Sequence, residues 1–265
     1  MKLWATLGLG AVAGAGVSMA LRHQTAPNVD DGVLEARVDD GVETVATLED
    51  PPVNPASRER IEALGAAAGM SPDQVQFLVF VAFKESRFRP NVGRGDPRLQ
   101  PPGMHRFAVD LAEADAARRA YERNAKRLAD CGHEPASYSF GSGGLFAFLP
   151  TYPLVHLRHT PLRCAHPYEV FDPAFSMTAA YSFARGLSRS RFFDGTVRAL
   201  RAGWGSLANM KDPQRHADKL PRWRRHLRAV GVDESWLHEG APAWPKRDLM
   251  TMYRAMDGRL ATEVT

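Results

Sequence analysis

Ser71-Pro72-Asp73-Gln74 carries three helix-start signals at once: a serine at the N-cap, a proline at the first helical position, and a glutamine three residues after the cap. The helix it opens runs through Gln76 and the seven apolar residues Phe77-Leu78-Val79-Phe80-Val81-Ala82-Phe83. Composition alone would allow a buried strand here; the start signal and the length decide for a helix. A helix that is apolar on every face has to be enclosed by other elements, so this segment predicts a central, fully packed helix. It ends in Lys84-Glu85-Ser86-Arg87-Phe88-Arg89-Pro90, where the proline stops it.

The punctuation beyond Pro90 is also helical. Phe107 to Leu128 is rich in Ala, Glu and Arg and predicts an exposed amphipathic helix. Asp172-Pro173 opens a helix to about Ser188, Asp194 is placed to cap one ending near Ala202, and Asp212-Pro213 opens one ending before Gly231. Alternating strand patterns and internal repeats are absent. The fold class expected is all-α, with room for a short hairpin around 90–106 or 132–142.

A chain of 265 residues with 44% hydrophobic and 24% charged residues suffices for one well-buried domain plus appendages, or for two small ones. The net charge of +4 suits an anionic partner (nucleic acid, membrane surface or acidic cell wall) without choosing among them. Cys131 and Cys164 fit neither a zinc spacing nor a redox CxxC pair. They can form one disulfide in an oxidising compartment and would be two buried thiols in the cytosol.

Compartment is addressed by the N-terminus. Leu3 to Leu21 is an uncharged run of 19 residues, close to the roughly 20 that span a bilayer. Ser18-Met19-Ala20 also has the small-x-small form of a signal-peptide site. Residues 1–23 are therefore read as a signal peptide or a membrane anchor. Either exports the remainder, to a periplasmic or membrane-anchored position facing the cell wall. Residues 24–56 combine eight acidic residues with Pro51, Pro52 and Pro55, the composition of a linker.

Two segments carry chemistry. Glu85 terminates a nearly unbroken apolar stretch; in an apolar cleft, desolvation would raise its pKa and let it act as a general acid. Taken alone, most helix-end glutamates are solvated. The second segment is Ser139-Phe140-Gly141-Ser142-Gly143-Gly144-Leu145-Phe146-Ala147-Phe148-Leu149-Pro150. Its glycines permit tight turns and close backbone approach, and its rings suit sugar faces or a packed core equally. No dinucleotide fingerprint is present, because the spacing and the βαβ context are missing.

Together these segments resemble the lytic transglycosylases of the soluble-lytic and goose-type lysozyme-like group. Glu85-Ser86-Arg87-Phe88 is similar to the family's catalytic segment, and Gly141-Ser142-Gly143-Gly144-Leu145-Phe146, continued by Leu149-Pro150-Thr151, to its glycine-rich glycan-binding segment. Phe171-Asp172-Pro173 with Ala179-Ala180-Tyr181, then Phe193-Asp194-Gly195 with Ala199-Leu200-Arg201-Ala202, resemble the next two helices in order. The resemblance spans about residues 70–210. It implies a lysozyme-like domain over 57–230, an insertion with its own helix at about 91–138, and a C-terminal helical extension over 231–265. It implies that Glu85 is catalytic and that Ser86, Gly143, Gly144, Leu145, Phe146, Phe148, Tyr181 and Trp204 bind substrate, with no metal and no cofactor. The implied partner is the glycan strand of peptidoglycan, with membrane attachment through the N-terminal segment and no nucleic acid. One glutamate would both protonate the glycosidic oxygen and deprotonate the muramic C6 hydroxyl, leaving 1,6-anhydro ends.

Three departures accompany the resemblance. Ala147 stands where the family has glutamine. Ala202-Gly203-Trp204-Gly205 replaces Ala-Tyr-Asn, so Trp204 supplies a ring without a hydroxyl and Tyr181 becomes another candidate. Glu85 and Gly144 lie 59 positions apart, longer than usual. A second carboxylate, if one is needed, would come from Asp96, Asp110 or Asp172, the last better explained as a helix cap. His133, His156, His159 and His166 lack metal spacing. Arg222-Trp223-Arg224-Arg225-His226 reads as a solvated basic helix face more readily than a polyanion site. Two other readings stand beside the enzyme: a weak or inactive wall-binding component of an envelope or phage-type machine, and a helical nucleic-acid-binding module, which the acidic linker and the export signal oppose.

Overall fold

The structure is a computed structural model that describes residues 55–95, 105–109, 111–134 and 141–263. The N-terminal apolar run, nearly all of the acidic linker, Asp96, Asp110, and most of the alternative hairpin position at 132–142 lie outside these residues. Among the described residues no helix is long and apolar enough to cross a membrane.

The described chain is mainly helical, in agreement with the all-α expectation. Helix α1 (Pro55–Ala67) leads into α2 (Pro72–Ser86). Ser71 caps α2 as the sequence predicts: its hydroxyl accepts from Gln74 N, and the Gln74 side chain accepts from Ser71 N. Phe77, Leu78, Val79, Phe80, Val81 and Ala82 are all buried, so α2 is the enclosed central helix. Each large apolar side chain removed from water in this way contributes about 1.5–3 kcal/mol, and α2 thereby fixes where its C-terminal residues emerge.

Strands β1 (Val92–Gly95) and β2 (His105–Val109) come next. They pair parallel, Val92 opposite His105 and Gly95 opposite Val109, with an irregularity between Gly93 and Arg94. This corrects the expected hairpin, since a hairpin would pair them antiparallel. It also shortens the predicted 107–128 helix: α3 begins at Leu111 and ends at Asp130, and Phe107, Ala108 and Val109 belong to β2. β-branched and aromatic residues suit a strand there, and propensity alone does not separate the two states.

After α4 (Tyr152–His156) and two 3₁₀ turns (Pro161–Cys164 and Pro167–Phe171) comes α5 (Pro173–Ser188). Asp172 caps it, accepting from Phe175 N at 2.6 Å. Helix α6 (Val197–Gly205) is capped by Thr196, whose hydroxyl accepts from Ala199 N; Asp194 instead accepts from Thr196 N and Oγ1. The cap expected at Asp194 thus falls two residues later, because Asp194 orders the cap residue and not the helix itself. Helix α7 (Leu207–Lys211) and α8 (Pro213–Ala229) follow, with Asp212 accepting from Gln214 N at the start of α8. A 3₁₀ turn (Glu234–His238) and α9 (Leu249–Glu263) complete the described residues, and Trp236, Trp244, Met252 and Met256 join the same core as α2.

Cys131 and Cys164 are disulfide-bonded with Cα atoms 5.2 Å apart, tying the end of α3 to the first 3₁₀ turn. The bridge closes a loop with a sequence separation of 33. Chain entropy for a loop of that size is worth about 3–4 kcal/mol. Reduction, or replacement of both cysteines by serine, is expected to lower the urea unfolding midpoint correspondingly. An unchanged midpoint would mean that the bridge constrains nothing.

Candidate active site

Glu85 lies in the last turn of α2 and is 6% exposed. The helix stops immediately after it. Arg87 adopts φ +51° as C-cap, its N–H donating to the Ala82 and Phe83 carbonyls, and Phe88 follows at φ +64°. Left-handed backbone in side-chain-bearing residues costs roughly 1–2 kcal/mol each. Here the reversal buries the Phe88 ring against Phe83, at 5.5 Å between centroids. The third such residue is Ala147, φ +51°, in the glycine-rich segment. Among the described residues, all the side-chain-bearing positions of this kind thus fall in the two motif segments, the places where strain tends to gather at functional sites.

The structure joins these two segments. Ser86 Oγ donates to Leu145 O at 2.9 Å and to Ala82 O at 3.0 Å, linking the Glu85 turn to the glycine-rich turn 59 positions away. Gly144 N donates to Val92 O at 2.8 Å, and Gly143 and Phe148 exchange backbone hydrogen bonds at 2.9 Å. Gly144 has φ +76° and lies against the Val170 carbonyl so closely that no side chain fits.

The candidate substrate-binding side chains are otherwise core. Leu145, Phe146, Phe148, Tyr181 and Trp204 are buried, as are Ser86, Gly143 and Gly144. Trp204 packs among Phe77, Phe146, Phe148 and Phe183, with centroids 4.9–5.9 Å apart. Tyr181 donates its hydroxyl to Pro245 O at 2.9 Å. These rings support the turn from behind and do not offer open faces to a sugar; the sequence does not separate the two uses, because both need apolar residues there.

The carboxylate has two cations beside it. Arg201, 3% exposed on α6, brings Nη2 to 3.5 Å from Glu85 Oε1, and Lys84 Nζ stands 3.1 Å from Oε2. The sequence leaves Glu85 either solvated or, in an apolar cleft, raised in pKa; it is nearly buried. Two cations within ion-pair distance favour the charged form, whereas burial opposes it. Arg201 also lies over the Trp223 ring at 5.5 Å and the Phe80 ring at 5.9 Å. A signal for it exists: on a helix Val197, Arg201 and Trp204 fall on one face, so an arginine shares the buried stripe.

Tyr152, at the start of α4, is also near. Its phenol is pushed well above the usual range by burial and then by the Glu85 charge, so it stays neutral. It stacks on Phe148 at 4.6 Å. Behind the site, His226 meets the Phe83 ring edge-on at 5.8 Å. Burial, then the charges of Arg87, Arg222, Arg201 and Lys84, push its pKa down to about 2. The basic run on α8 thus divides: Arg222, Trp223 and His226 are buried, whereas Arg224 and Arg228 reach Glu234 at 3.5 and 3.2 Å.

His133 Nε2 lies 3.1 Å from Cys164 O, and His166 caps the second 3₁₀ turn. No group of three His, Cys, Asp or Glu residues among the described ones could hold a metal ion. Concavities of about 460 Å³, beside Gly69 and Arg247, and about 350 Å³, beside Met70 and Val79, are not lined by Glu85.

Fold and site together define a mainly helical protein with a buried, ion-paired glutamate held against a glycine-rich turn. No protein-family model, curated protein or solved structure matches the chain.

Proposed function

We propose that the chain is an exported peptidoglycan-cleaving enzyme of the lytic transglycosylase type, with a lysozyme-like helical domain and Glu85 as its acid/base. The observation that carries this reading is the Ser86–Leu145 hydrogen bond. It unites the Glu-Ser turn and the glycine-rich turn, the two segments whose resemblance to that family motivates the proposal. Protonated Glu85 would give its proton to the glycosidic oxygen between N-acetylmuramic acid and N-acetylglucosamine as that bond breaks. The resulting carboxylate would take the proton of the muramic C6 hydroxyl, whose oxygen closes on the anomeric carbon.

Product chemistry tests this directly. A hydrolase has to position water, and an inverting one commonly uses a second carboxylate to activate it. An intramolecular hydroxyl also competes well with water, with effective molarities up to roughly 10⁵–10⁸ M in the best cases. Digestion of purified sacculi is expected to release fragments ending in 1,6-anhydromuramic acid, lighter by one water than reducing ends in mass spectrometry. Predominantly reducing ends would establish a hydrolase with a water-positioning group elsewhere.

A second reading is favoured by the same ion pairs. Arg201 and Lys84 stabilise the carboxylate that the reaction needs protonated, and the aromatic candidates are buried. Both fit a wall-binding component that keeps the turn but cuts weakly or not at all. Sacculi that bind the protein and release no soluble fragments at any pH would select it.

A further inference from the structure

We propose that Arg201 is a positioning residue that holds Glu85 ionised and fixed in the free protein, confining cleavage to acidic pH; this role rests on the reading of Glu85 as the acid of glycan cleavage. The pair is buried on both sides: the Arg201 side chain is 4% exposed and that of Glu85 8%. A guanidinium stays charged at all relevant pH values, so Arg201 cannot leave this role by losing a proton. Its guanidinium lies 3.5 Å from Glu85 and 5.5 and 5.9 Å from the Trp223 and Phe80 ring centres, contacts that restrict the rotamers available to it. Lys84 differs, being a flexible chain on the same helix turn as Glu85.

Among the described residues, Lys84 on α2 and Arg201 on α6 are both cations within ion-pair distance of the carboxylate. The neutral Tyr152 on α4 feels the Glu85 charge, and the neutral His226 on α8 feels these same cations together with Arg87 and Arg222. An opposite charge within about 4–6 Å lowers a carboxyl by roughly 1–3 pH units, whereas complete burial raises one by up to about 3–5. Glu85 is nearly buried and faces two cations within 4.0 Å, and on this proposal their attraction outweighs its desolvation. A carboxyl with a depressed pKa is protonated only below that pKa. Above it, the acid form, and with it kcat/KM of the free enzyme, falls tenfold for each pH unit.

The test uses the full chain on purified sacculi, with Arg201→Met and Arg201→Lys compared with wild type across the acid-to-neutral range. In Arg201→Met the falling limb of the kcat/KM profile is expected to move up by about one pH unit or more. Cleavage at neutral pH, relative to the variant's own acid plateau, then rises about tenfold. Arg201→Lys keeps the charge and is expected to keep the limb where wild type has it. A uniform loss of rate in Arg201→Met with an unmoved limb would show a structural role only and overturn the proposal. Should Arg201→Met not fold, carboxyl-carbon NMR of the wild-type protein decides, with the Glu85 signal assigned by difference from Glu85→Gln. A midpoint below the ordinary glutamate value of about 4.3 supports the proposal, and one at or above it overturns it. The titration needs no activity, so failure of the ion-pair inference and failure of the cleavage reading are separately visible.

Discussion

Glu85→Gln is expected to reduce release of soluble wall fragments by about 10²–10⁴-fold, the range in which general acid–base groups act, and toward the upper end because one residue would serve as both acid and base. Glutamine preserves shape and an acceptor oxygen while removing the transferable proton. The substitution is not silent for stability. Arg201 is buried against the carboxylate, and weakening that pair leaves a poorly compensated cation. A cost of about 1–3 kcal/mol is expected, since the amide oxygen still accepts a hydrogen bond. Fragment release should therefore be measured well below the melting temperatures of both proteins. Equal release by wild type and variant would remove Glu85 from the mechanism. A loss that tracks melting temperature alone would make Glu85 a structural residue and favour the wall-binding reading.

The parts of this molecule that the sequence reveals are those whose cause is local. Ser71 and Gln74 lie three residues apart and cap one another, and Asp172 and Asp212 each sit one residue before a proline and accept from the helix they open. The same local logic misplaces the cap of α6, because Asp194 and Thr196 are both competent and only the folded turn shows which one faces the helix. The central packing of α2 is legible because an all-apolar helix has one stable environment.

What escapes is set by tertiary partners. Glu85 and Arg201 are 116 residues apart, and nothing near either announces the other. The sequence shows Lys84 beside Glu85 but not Arg201, whose guanidinium reaches 3.5 Å from the carboxylate in the folded chain. Phe146, Phe148 and Trp204 illustrate a second ambiguity. A ring that grips a sugar and a ring that fills a core have the same identity, and burial alone distinguishes them. The Trp236 and Trp244 contributions to the core are hidden for a related reason, since the C-terminal segment has no periodicity that names its partner.

Gly144→Ala is expected to be among the most destabilising single substitutions in the protein, at about 3–5 kcal/mol out of a typical total of about 5–15. Three costs combine. At φ +76° a side chain is disfavoured by roughly 1–2 kcal/mol. A Cβ there would lie on the Val170 carbonyl oxygen, 2.8 Å from its carbon and 3.2 Å from Ser176 Oγ. Relieving that overlap means moving a buried backbone segment, at about 1–3 kcal/mol or more. The same Val170 carbonyl accepts the Ser176 hydroxyl at the start of α5, so a shift also loosens a buried hydrogen bond, worth about 1 kcal/mol. Gly132 supplies the control. Its φ is +73°, and nothing lies within 4 Å of where its Cβ would be, so Gly132→Ala carries the backbone cost alone. Urea unfolding of the two variants is expected to separate them by at least about 2 kcal/mol, Gly144→Ala being the weaker, which isolates the steric part. Equal losses would mean that the Val170 segment yields freely. The glycine-rich turn would then be soft, and the Leu145 carbonyl that receives Ser86 would be a poor anchor for Glu85.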